Sequence, residues 1–284
     1  MSMIPLKMLA NGFSMPALGM GSWCFGGRET HDPDNDDAGQ TAALRQGVEL
    51  GYSLIDTAEY YADGFAEILI GRAIAGFDRE KLFLTSKVWK THLDSAGVIH
   101  AAENSLRRLK TDYLDLYFYH QVSDIVPLEE TIAAMNTLVD RGLVRYIGVS
   151  NFAPERLRRA MQCSSHPIMV NQVHYSLQVR EVENGLLDFC QQNDVMLQAW
   201  RPLRGLVPSP LTEALCRKYD CSLQTLALAW LIRQKNVSVI TASTSFEHLK
   251  SNLQAVRLNL SDADAELLQR DMPGKTFTGT VPLS

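Results

Sequence analysis

The sequence has little of what membrane proteins and nucleic-acid-binding proteins need. Its 284 residues contain no apolar run of about 18 residues, the length that crosses a bilayer. The first residues, MSMIPLKMLANGFSMPALG, lack the charged segment and unbroken apolar stretch of a secretory signal. The 27 basic residues are outnumbered by 32 acidic ones, so no basic surface for nucleic acid is expected. We expect a cytoplasmic protein whose partner is a small molecule, and not a nucleic acid or a membrane.

The cysteine patterns of metal sites and disulfide frameworks are also absent. The five cysteines are odd in number and none forms a CxxC pair, so neither structural zinc nor a disulfide framework is expected. Cys216 and Cys221 are the nearest pair, in a stretch whose pattern predicts helix. Core or surface thiols explain such a pair better than metal ligands do. Reduced thiols are typical of the cytosol, and no metal site is predicted.

What the sequence does contain is a repeated alternation of short apolar runs and longer amphipathic stretches. The short runs predict eight strands: ALGMGSW (17–23), YSLIDTA (52–58), KLFLTSK (81–87), YLDLYFYH (113–120), VRYIGVS (144–150), IMVNQVHY (168–175), VMLQAW (195–200) and VSVITAS (237–243). The stretches between them have apolar residues at a spacing near 3.6 and predict helices: AGQTAALRQGVEL, FAEILIGRAIAGF, AGVIHAAENSLRRL, LEETIAAMNTLVDRG, PERLRRAMQC, NGLLDFCQQN, LTEALCRKYD, SLQTLALAWLIRQ and FEHLKSNLQAV.

Eight such βα units predict an α/β protein with a closed parallel sheet, the (β/α)8 or TIM barrel. Residues 3–8 and 13–16, which turn at Asn11-Gly12, predict an N-terminal β-hairpin that covers the bottom of the barrel. No Pro/Ser/Gly-rich linker or low-complexity tract interrupts the sequence. We therefore expect residues 1–284 to form a single domain.

Polar side chains gather at the carboxyl ends of the predicted strands, where barrel enzymes place their active sites. From the second strand to the seventh these side chains are Asp56, Tyr61, Lys87, His120, Ser150, Asn151, Gln172 and Trp200. Because the parallel strands of a barrel end at one rim, we expect all of these groups to face a common site.

The first four of these residues suit proton transfer to an oxygen. A tyrosine, whose pKa is ordinarily about 10, donates a proton poorly at neutral pH unless a nearby charge stabilises its phenolate. We expect the Lys87 ammonium to lower the pKa of Tyr61, and Asp56 to hold Lys87 ionised and oriented. His120 is expected to hydrogen-bond the substrate oxygen. No nucleophile is paired with a base, so the predicted chemistry needs a hydride from a cofactor.

These residues and their flanking motifs resemble the aldo-keto reductase family. The matching segments occur in the family's order along almost the whole sequence: MPALGMGSW, GYSLIDTAEYYADG, LTSKVW, YLDLYFYH, VRYIGVSNF, VNQVHY, QAWRPL and SVITASTSFEHLKSN. The resemblance implies a bacterial NADPH-dependent enzyme that reduces aldehydes or ketones to alcohols. It also implies that the catalytic tetrad of the family is formed here by Asp56, Tyr61, Lys87 and His120.

The resemblance further implies that NADPH binds in an extended form across the rim of the barrel. Ser150, Asn151 and Gln172 correspond to the residues that hold the nicotinamide carboxamide, and Trp200 to the aromatic residue that stacks on its ring. The loop after the seventh strand and the eighth-strand region would bind the rest of the cofactor. The candidates there are Arg201, Leu203, Arg204, Ser243, Thr244, His248 and Asn252.

The eighth-strand region departs from the family pattern. Ala242 stands where the family usually has Lys, and His248 where it usually has Arg, the two residues that meet the 2′-phosphate of NADPH. The missing positive charge predicts a weaker preference for NADPH over NADH. NADPH remains the expected cofactor, with NADH as the alternative. Arg201 and Arg204 are expected to restore charge near the pyrophosphate.

The resemblance also indicates the substrate pocket. The rings of Trp23 and Trp89 are expected to line an apolar pocket above the nicotinamide. Gln121 follows His120 where relatives often have Trp, which predicts a wider or more polar pocket. Small aldehydes, α-dicarbonyls and open-chain sugar-like carbonyls are all compatible substrates. A monomer is expected.

Three other interpretations stay open at this stage. Lys87 and Asp56 could form only a structural salt bridge across the barrel. Lys87 could instead form a Schiff base with a carbonyl substrate, as in an aldolase. The protein could also be a slow or non-catalytic NADPH-binding subunit with a redox-sensing role, as some members of the family are with potassium channels.

Overall fold

The polypeptide begins with a short hairpin at one end of a barrel. The structure, a computed structural model, describes residues 4–271 and 281–284. Strands β1 (Leu6–Met8) and β2 (Ser14–Pro16) pair antiparallel, as predicted. Gly12, in the turn, has φ +88°, a left-handed conformation that glycine adopts at little cost. Residue 3 of the predicted hairpin lies outside the described residues.

Eight parallel strands form the closed barrel that the βα pattern predicts. In chain order they are β3 (Leu18–Gly21), β4 (Leu54–Asp56), β5 (Phe83–Val88), β6 (Leu114–Tyr119), β7 (Val144–Ser150), β8 (Ile168–His174), β9 (Met196–Trp200) and β10 (Val237–Thr241). Strands that follow one another in sequence pair with each other, and β10 pairs with β3 to close the sheet. The protein is therefore a (β/α)8 TIM barrel.

Helices cover the outside of the barrel: α1 (Asp37–Leu50), α2 (Phe65–Ala73), α3 (Ser95–Leu109), α4 (Leu128–Asp140), α5 (Pro154–Cys163), α6 (Leu186–Gln192), α7 (Pro210–Tyr219), α8 (Leu223–Arg233), α9 (Phe246–Asn252) and α10 (Asp262–Asp271). Gly51 ends α1 in a left-handed conformation, and Pro154 occupies the first turn of α5. Among the described residues no helix is long and apolar enough to cross a bilayer. Helix α10 has no counterpart in the sequence-based prediction.

Apolar side chains fill the barrel from its base upward. Phe13 and Met15, from the hairpin, pack into the barrel interior with side chains of the strands. The strand residues of this inner cluster include Leu54, Leu116, Phe118, Met169, Met196 and Ile240. A larger apolar cluster lies between the strands and the helices. Among the described residues the base is closed by apolar packing, and the cleft opens at the carboxyl ends of the strands.

Candidate active site

A cleft of about 1310 Å³ opens at the carboxyl ends of the barrel strands. Of the predicted site residues, Lys87 and Thr244 do not line it. Lys87 is 0 % exposed and touches the cleft only through Asp56 and Tyr61, whereas Thr244 is exposed to solvent elsewhere. The predicted residues that line the cleft are Trp23, Asp56, Tyr61, Trp89, His120, Gln121, Ser150, Asn151, Gln172, Trp200, Arg201, Leu203, Arg204, Ser243, His248 and Asn252.

Asp56, the last residue of β4, is the centre of a buried hydrogen-bond network. Its Oδ2 accepts from Lys87 Nζ at 2.6 Å. Its Oδ1 accepts from the Thr85 hydroxyl at 2.8 Å and from the Gln172 amide at 2.7 Å. Asp56 and Thr85 are register partners on adjacent parallel strands, which places these side chains at one height in the barrel. A buried carboxylate is stable only with partners of this kind.

The Lys87 ammonium has a partner for each of its three hydrogens. Besides its bond to Asp56, Nζ donates to the Thr57 carbonyl at 2.7 Å and lies 3.4 Å from the Tyr61 hydroxyl. Burial lowers the pKa of Lys87, but Asp56 and Tyr61 raise it by more, so its pKa lies above the ordinary value. The ammonium therefore stays charged at neutral pH, in contact with the Tyr61 oxygen.

The loop that carries Tyr61 has a constrained backbone. Ala62, Asp63 and Gly64 all have left-handed conformations, with φ of 51°, 52° and 80°. The backbone N–H groups of Ala62 and Asp63 donate to carbonyls of the loop after β3, at 2.7 and 2.8 Å. A Cβ at Gly64 would lie 2.6 Å from the Arg108 side chain. Non-glycine residues adopt this backbone only where their surroundings impose it, so the position of Tyr61 is fixed from several sides.

Burial dominates the pKa of Tyr61. Burial raises the pKa, the Lys87 charge acts to lower it, and the net pKa lies above the ordinary value for tyrosine. The Lys87 charge therefore acts in the expected direction. The net pKa is raised nevertheless, because the effect of burial is larger than that of one ammonium group. As a result Tyr61 keeps its proton at neutral pH, which is the state a proton donor requires.

His120 follows β6 and lies beside Tyr61. The two rings are 5.6 Å apart between centroids, and Trp89 lies 5.0 Å away on another side. Burial, assisted by the Lys87 charge, holds the pKa of His120 well below its ordinary value. Among the described residues Nδ1 of His120 has no hydrogen-bond partner. The imidazole is therefore neutral, with one ring nitrogen a donor and the other an acceptor.

Aromatic rings form one wall of the cleft. Tyr60 stacks on Trp89 with centroids 3.7 Å apart, and lies parallel to Trp23 at 6.2 Å. Trp23 also packs edge-on against Tyr61, at 5.0 Å. Tyr60 donates a hydrogen bond to Glu29, and burial together with this carboxylate raises the pKa of Tyr60 to about 12. The wall is thus largely apolar, and the Tyr60 hydroxyl and Glu29 carboxylate are its polar groups.

A second network joins the hydroxyl and amide groups at the ends of β7 and β8. Ser150 Oγ donates to the Gln172 carbonyl at 2.9 Å and accepts from Asn151 Nδ2 at 3.0 Å. Trp200 Nε1 donates to Asn151 Oδ1 at 3.2 Å, and its ring stacks on His174 at 4.5 Å. The amide groups and the indole ring are therefore held in fixed positions beside the Asp56 network.

Positive charge in the cleft comes mainly from the loop after β9. Arg201, with φ 49°, lies over the Trp200 ring at 5.4 Å. Burial, and then the positive charge of Arg204, lower the pKa of Arg201. An anion between two such groups relieves their repulsion and gains charge-assisted hydrogen bonds. Leu203, between them in sequence, also lines the cleft.

The far part of the cleft lies against α9. Ser243 and Asn252 face it, and Asn252 Nδ2 donates to the Thr241 hydroxyl at 3.3 Å. His248 is exposed in the first turn of α9, and Ala242 contributes no charge. Thr244 lies outside the lining, so its contact with a cofactor stays a prediction.

Comparison with known proteins identifies the relationship of this chain. The family model described as Aldo/keto reductase family matches residues 17–270, which include all eight barrel strands. The chain belongs to the aldo/keto reductase family. The extent of the match confirms the resemblance drawn from the sequence motifs.

Relatives of this aldo/keto reductase include two enzymes of Escherichia coli (strain K12). Methylglyoxal reductase YeaE is 38% identical over 283 residues, covering 94% of this chain and 96% of its own. A protein named NADH-specific methylglyoxal reductase is 29% identical over 322 residues, which cover 95% of this chain and 98% of the relative. Among solved structures, an aldo-keto reductase from Klebsiella pneumoniae in complex with NADPH has 35% identity and a TM-score of 0.87, with 100% of both chains covered.

Several residues of this aldo/keto reductase cleft were not among those predicted from sequence. Tyr60 and Glu29 shape the aromatic wall, and their only local signal is the position of Tyr60 next to Tyr61. Gln198 lies under the cleft, bonded to Gln172, and its signal is the two-residue spacing to Trp200 on one strand. The first turn of α8 also reaches the cleft, with Ser222, Leu223 and Gln224.

Proposed function

We propose that this protein reduces aldehyde or ketone carbonyls to alcohols with a nicotinamide cofactor. The observation that carries the proposal is the contact between the Tyr61 hydroxyl and the charged Lys87 ammonium at 3.4 Å, with Asp56 holding the ammonium from behind. Membership of the aldo/keto reductase family supports it, as do relatives named as reductases. The substrate is a small molecule, in keeping with the size of the cleft.

In the proposed reaction Tyr61 is the general acid. When bound, the reduced nicotinamide supplies the hydride to the carbonyl carbon. Tyr61 gives its proton to the carbonyl oxygen, and Lys87 stabilises the phenolate that forms. Tyr61 carries its proton at neutral pH, and the Lys87 charge, which acts to lower the pKa of Tyr61, reduces the cost of releasing it.

His120 orients the carbonyl in this proposal. Its neutral imidazole lines the cleft beside Tyr61, and because Nδ1 is buried, Nε2 is the nitrogen proposed to reach the carbonyl oxygen. A hydrogen bond from His120 and one from Tyr61 to the same oxygen fix the carbonyl plane. The rings of Trp23 and Trp89, with Tyr60 between them, surround the rest of a small substrate, and Gln121 adds a polar group.

The donor set of the cleft fits a nicotinamide dinucleotide. Ser150, Asn151 and Gln172 would hold the carboxamide, and Trp200 offers a ring for stacking. The remaining lining would hold the phosphates and the adenosine end through Arg201, Leu203, Arg204, Ser243, His248 and Asn252, with Thr244 nearby. The arrangement supports this assignment because hydroxyl, amide and cationic groups all line the one cleft.

NADPH is the proposed cofactor, with NADH as the alternative. The relative crystallised with NADPH supports the first, and the relative named as NADH-specific supports the second. Ala242 and His248 line the part of the cleft where the family usually has Lys and Arg, so the charge that selects a 2′-phosphate is reduced here. We expect both cofactors to be used, and NADPH to be preferred only modestly.

Small α-dicarbonyls are the substrates we propose first, because two relatives are named as methylglyoxal reductases. Small aldehydes and open-chain sugar-like carbonyls remain compatible with the mixed aromatic and polar lining. We propose a cytoplasmic, monomeric enzyme with this activity, and the five free cysteines support the location. Analytical ultracentrifugation tests the oligomeric state.

The Schiff-base alternative has little support from the geometry. Lys87 is 0 % exposed, all three of its hydrogens have partners, and its pKa lies above the ordinary value. A Schiff-base lysine must instead be neutral and reach the substrate. Borohydride trapping of a carbonyl on Lys87 without nicotinamide is therefore expected to fail.

A spectrophotometric screen tests the proposed function. Loss of nicotinamide absorbance is followed with NADPH and with NADH against methylglyoxal, other α-dicarbonyls, simple aldehydes and aldoses. We expect turnover with at least one small carbonyl and with both cofactors. Tight cofactor retention with negligible turnover on every carbonyl would contradict the proposal and favour the redox-sensing subunit.

A further inference from the structure

Gln198 lies inside the barrel, directly beneath the residues that line the cleft. It is on β9 between Met196 and Trp200, and its side chain is 0 % exposed. It is the register partner of Gln172 on the neighbouring strand β8. A buried glutamine in the interior of a barrel needs an explanation, because an apolar residue of the same size would fill the space without desolvating an amide.

The hydrogen bonds of Gln172 give that explanation. Gln172 Nε2 donates to Gln198 Oε1 at 2.6 Å and to Asp56 Oδ1 at 2.7 Å. An amide nitrogen has two hydrogens, so both are used. The group of Gln172 that stays available to a ligand in the cleft is therefore its carbonyl oxygen.

The orientation of both amides follows from the charge of Asp56. A carboxylate accepts hydrogen bonds and cannot donate one, so Gln172 must turn its nitrogen toward Asp56. Gln198 must then present its oxygen, because its nitrogen would meet the Gln172 nitrogen and place two donors face to face. Lys87, Asp56, Gln172 and Gln198 thus form one chain of hydrogen bonds, in which Asp56 holds one hydrogen of the Gln172 amide and Gln198 holds the other.

The two polar atoms of the Gln198 amide differ, and the oxygen is the one that contacts Gln172. Its Nε2 is buried and has no hydrogen-bond partner among the described residues. An unsatisfied buried donor costs free energy, so this side chain is not there for the stability of the barrel. Its oxygen, in contrast, holds one of the two hydrogens of Gln172.

We propose that Gln198 is a positioning residue for cofactor binding, which acts by locking the Gln172 amide with its carbonyl oxygen toward the cleft. The inference rests on the proposed function, in which Gln172 contacts the nicotinamide carboxamide. A carboxamide has a donor end and an acceptor end, so a fixed acceptor on the protein selects one of its two orientations.

The test compares Gln198→Met, which is close in size and lacks the amide, with the wild type. NADPH affinity is measured by quenching of tryptophan fluorescence, and thermal stability is measured without ligand. We expect the Tm without ligand to be unchanged or higher, and the Kd for NADPH to rise on the order of tenfold, the size of one hydrogen bond. Gln198→Leu gives the same comparison if the methionine variant does not fold.

Two further variants make the test specific. Ser238→Ala is the matched control, because Ser238 is the register partner of Gln198 on β10, is also 0 % exposed, and bonds to the Pro16 carbonyl and not to Gln172. It is expected to leave the Kd unchanged. In a Gln172→Met background, Gln198→Met is expected to have no additional effect on the Kd, since Gln198 acts through Gln172.

The outcomes separate this inference from the proposed function. A wild type that binds neither NADPH nor NADH overturns the proposed function itself. A wild type that binds normally, with a Gln198→Met Kd within twofold of it, overturns the role of Gln198 alone. Additive effects of the two glutamine substitutions also overturn it, because they mean that Gln198 acts on the cofactor independently of Gln172.

Discussion

Lys87 has two separable roles at the scale of the single residue. It neutralises the buried Asp56 carboxylate at 2.6 Å, and it places a charge 3.4 Å from the Tyr61 oxygen. The first role stabilises the fold, since a buried carboxylate without its partner is strongly destabilising. The second belongs to the proposed reaction. A purely structural salt bridge, the alternative that the sequence leaves open, would need only the first.

Replacing the pair in two steps distinguishes these roles. Lys87→Met alone is expected to lower the unfolding free energy by about 3–5 kcal/mol, because Asp56 is left buried without its counter-charge. Lys87→Met with Asp56→Asn should recover much of that stability, yet its kcat should remain lower than that of the wild type by a factor of about 10² to 10⁴. Chemical denaturation and steady-state kinetics measure the two effects. Recovery of activity together with stability would show that the pair is structural only.

That Asp56, Tyr61, Lys87 and His120 lie together is predictable from the sequence, because strand ends in a barrel converge on one rim. The net pKa of Tyr61 cannot be predicted from the sequence, because it depends on the burial of one oxygen, which residue spacing does not indicate. Tyr60 was missed for a similar reason. Its contacts to Trp89 and Glu29 join residues about 30 positions apart along two different loops.

At the scale of the element, α10 is held on the barrel by a cluster around Asp264. Its carboxylate accepts from Lys218 Nζ at 2.7 Å, from the Ser261 hydroxyl at 2.7 Å and from the Tyr219 hydroxyl. These bonds lower the pKa of Asp264 to about 2. The helix escaped prediction because its charged sequence, DADAELLQRD, has too few apolar residues for a clear period, and its partners lie on α7.

Substitution of Asp264 tests this anchor. Its pKa is about 2 in the folded protein and ordinarily about 3.9, so its stabilising effect is complete above pH 4 and is lost as the pH falls through 2. Asp264→Asn is expected to lower the Tm by about 2–4 °C at pH 7. Calorimetry should show that the difference between variant and wild type shrinks between pH 4 and pH 2. A difference that does not depend on pH would mean that the charge of Asp264 is unimportant.

At the scale of the whole molecule, a protein with a net charge of −5 is proposed to bind a polyanion. The positive groups that face the cleft are therefore decisive, and Arg201 and Arg204 supply them on one side. On the side of α9 the lining has Ala242 and His248 in place of two cations. The imbalance predicts that the phosphate of the adenosine end contributes less to affinity than the pyrophosphate does.

Restoring the two charges tests this distribution. Ala242→Lys with His248→Arg is expected to tighten NADPH binding about tenfold or more, because the added cations meet a phosphate dianion, and to leave NADH within about threefold. The gain for NADPH should fall as the salt concentration rises. Titration of the protein with NADPH and with NADH at two ionic strengths measures these affinities. Equal gains for NADPH and NADH would contradict the placement of the phosphate beside α9.

The barrel as a whole follows from the alternation of strand and helix patterns, which is why its topology could be predicted. The position of residues 281–284 at the rim of the barrel could not be predicted from the sequence. Ser284 exchanges backbone hydrogen bonds with Asn151 and Ala153, at 3.1 and 3.0 Å, and Val281 lines the cleft. Such pairing joins positions more than 130 residues apart and leaves no periodic pattern in the sequence.

Tyr61 is the proposed proton donor in carbonyl reduction, and Tyr61→Phe removes that donor. The substitution removes one oxygen at a position that is packed by aromatic rings, so the fold and the cleft are expected to persist. In single-turnover experiments with NADPH and methylglyoxal, we expect the Kd for NADPH to stay within twofold and the rate of nicotinamide oxidation to fall by about 10³ or more. An oxidation rate that stays within tenfold of the wild type would contradict the claim.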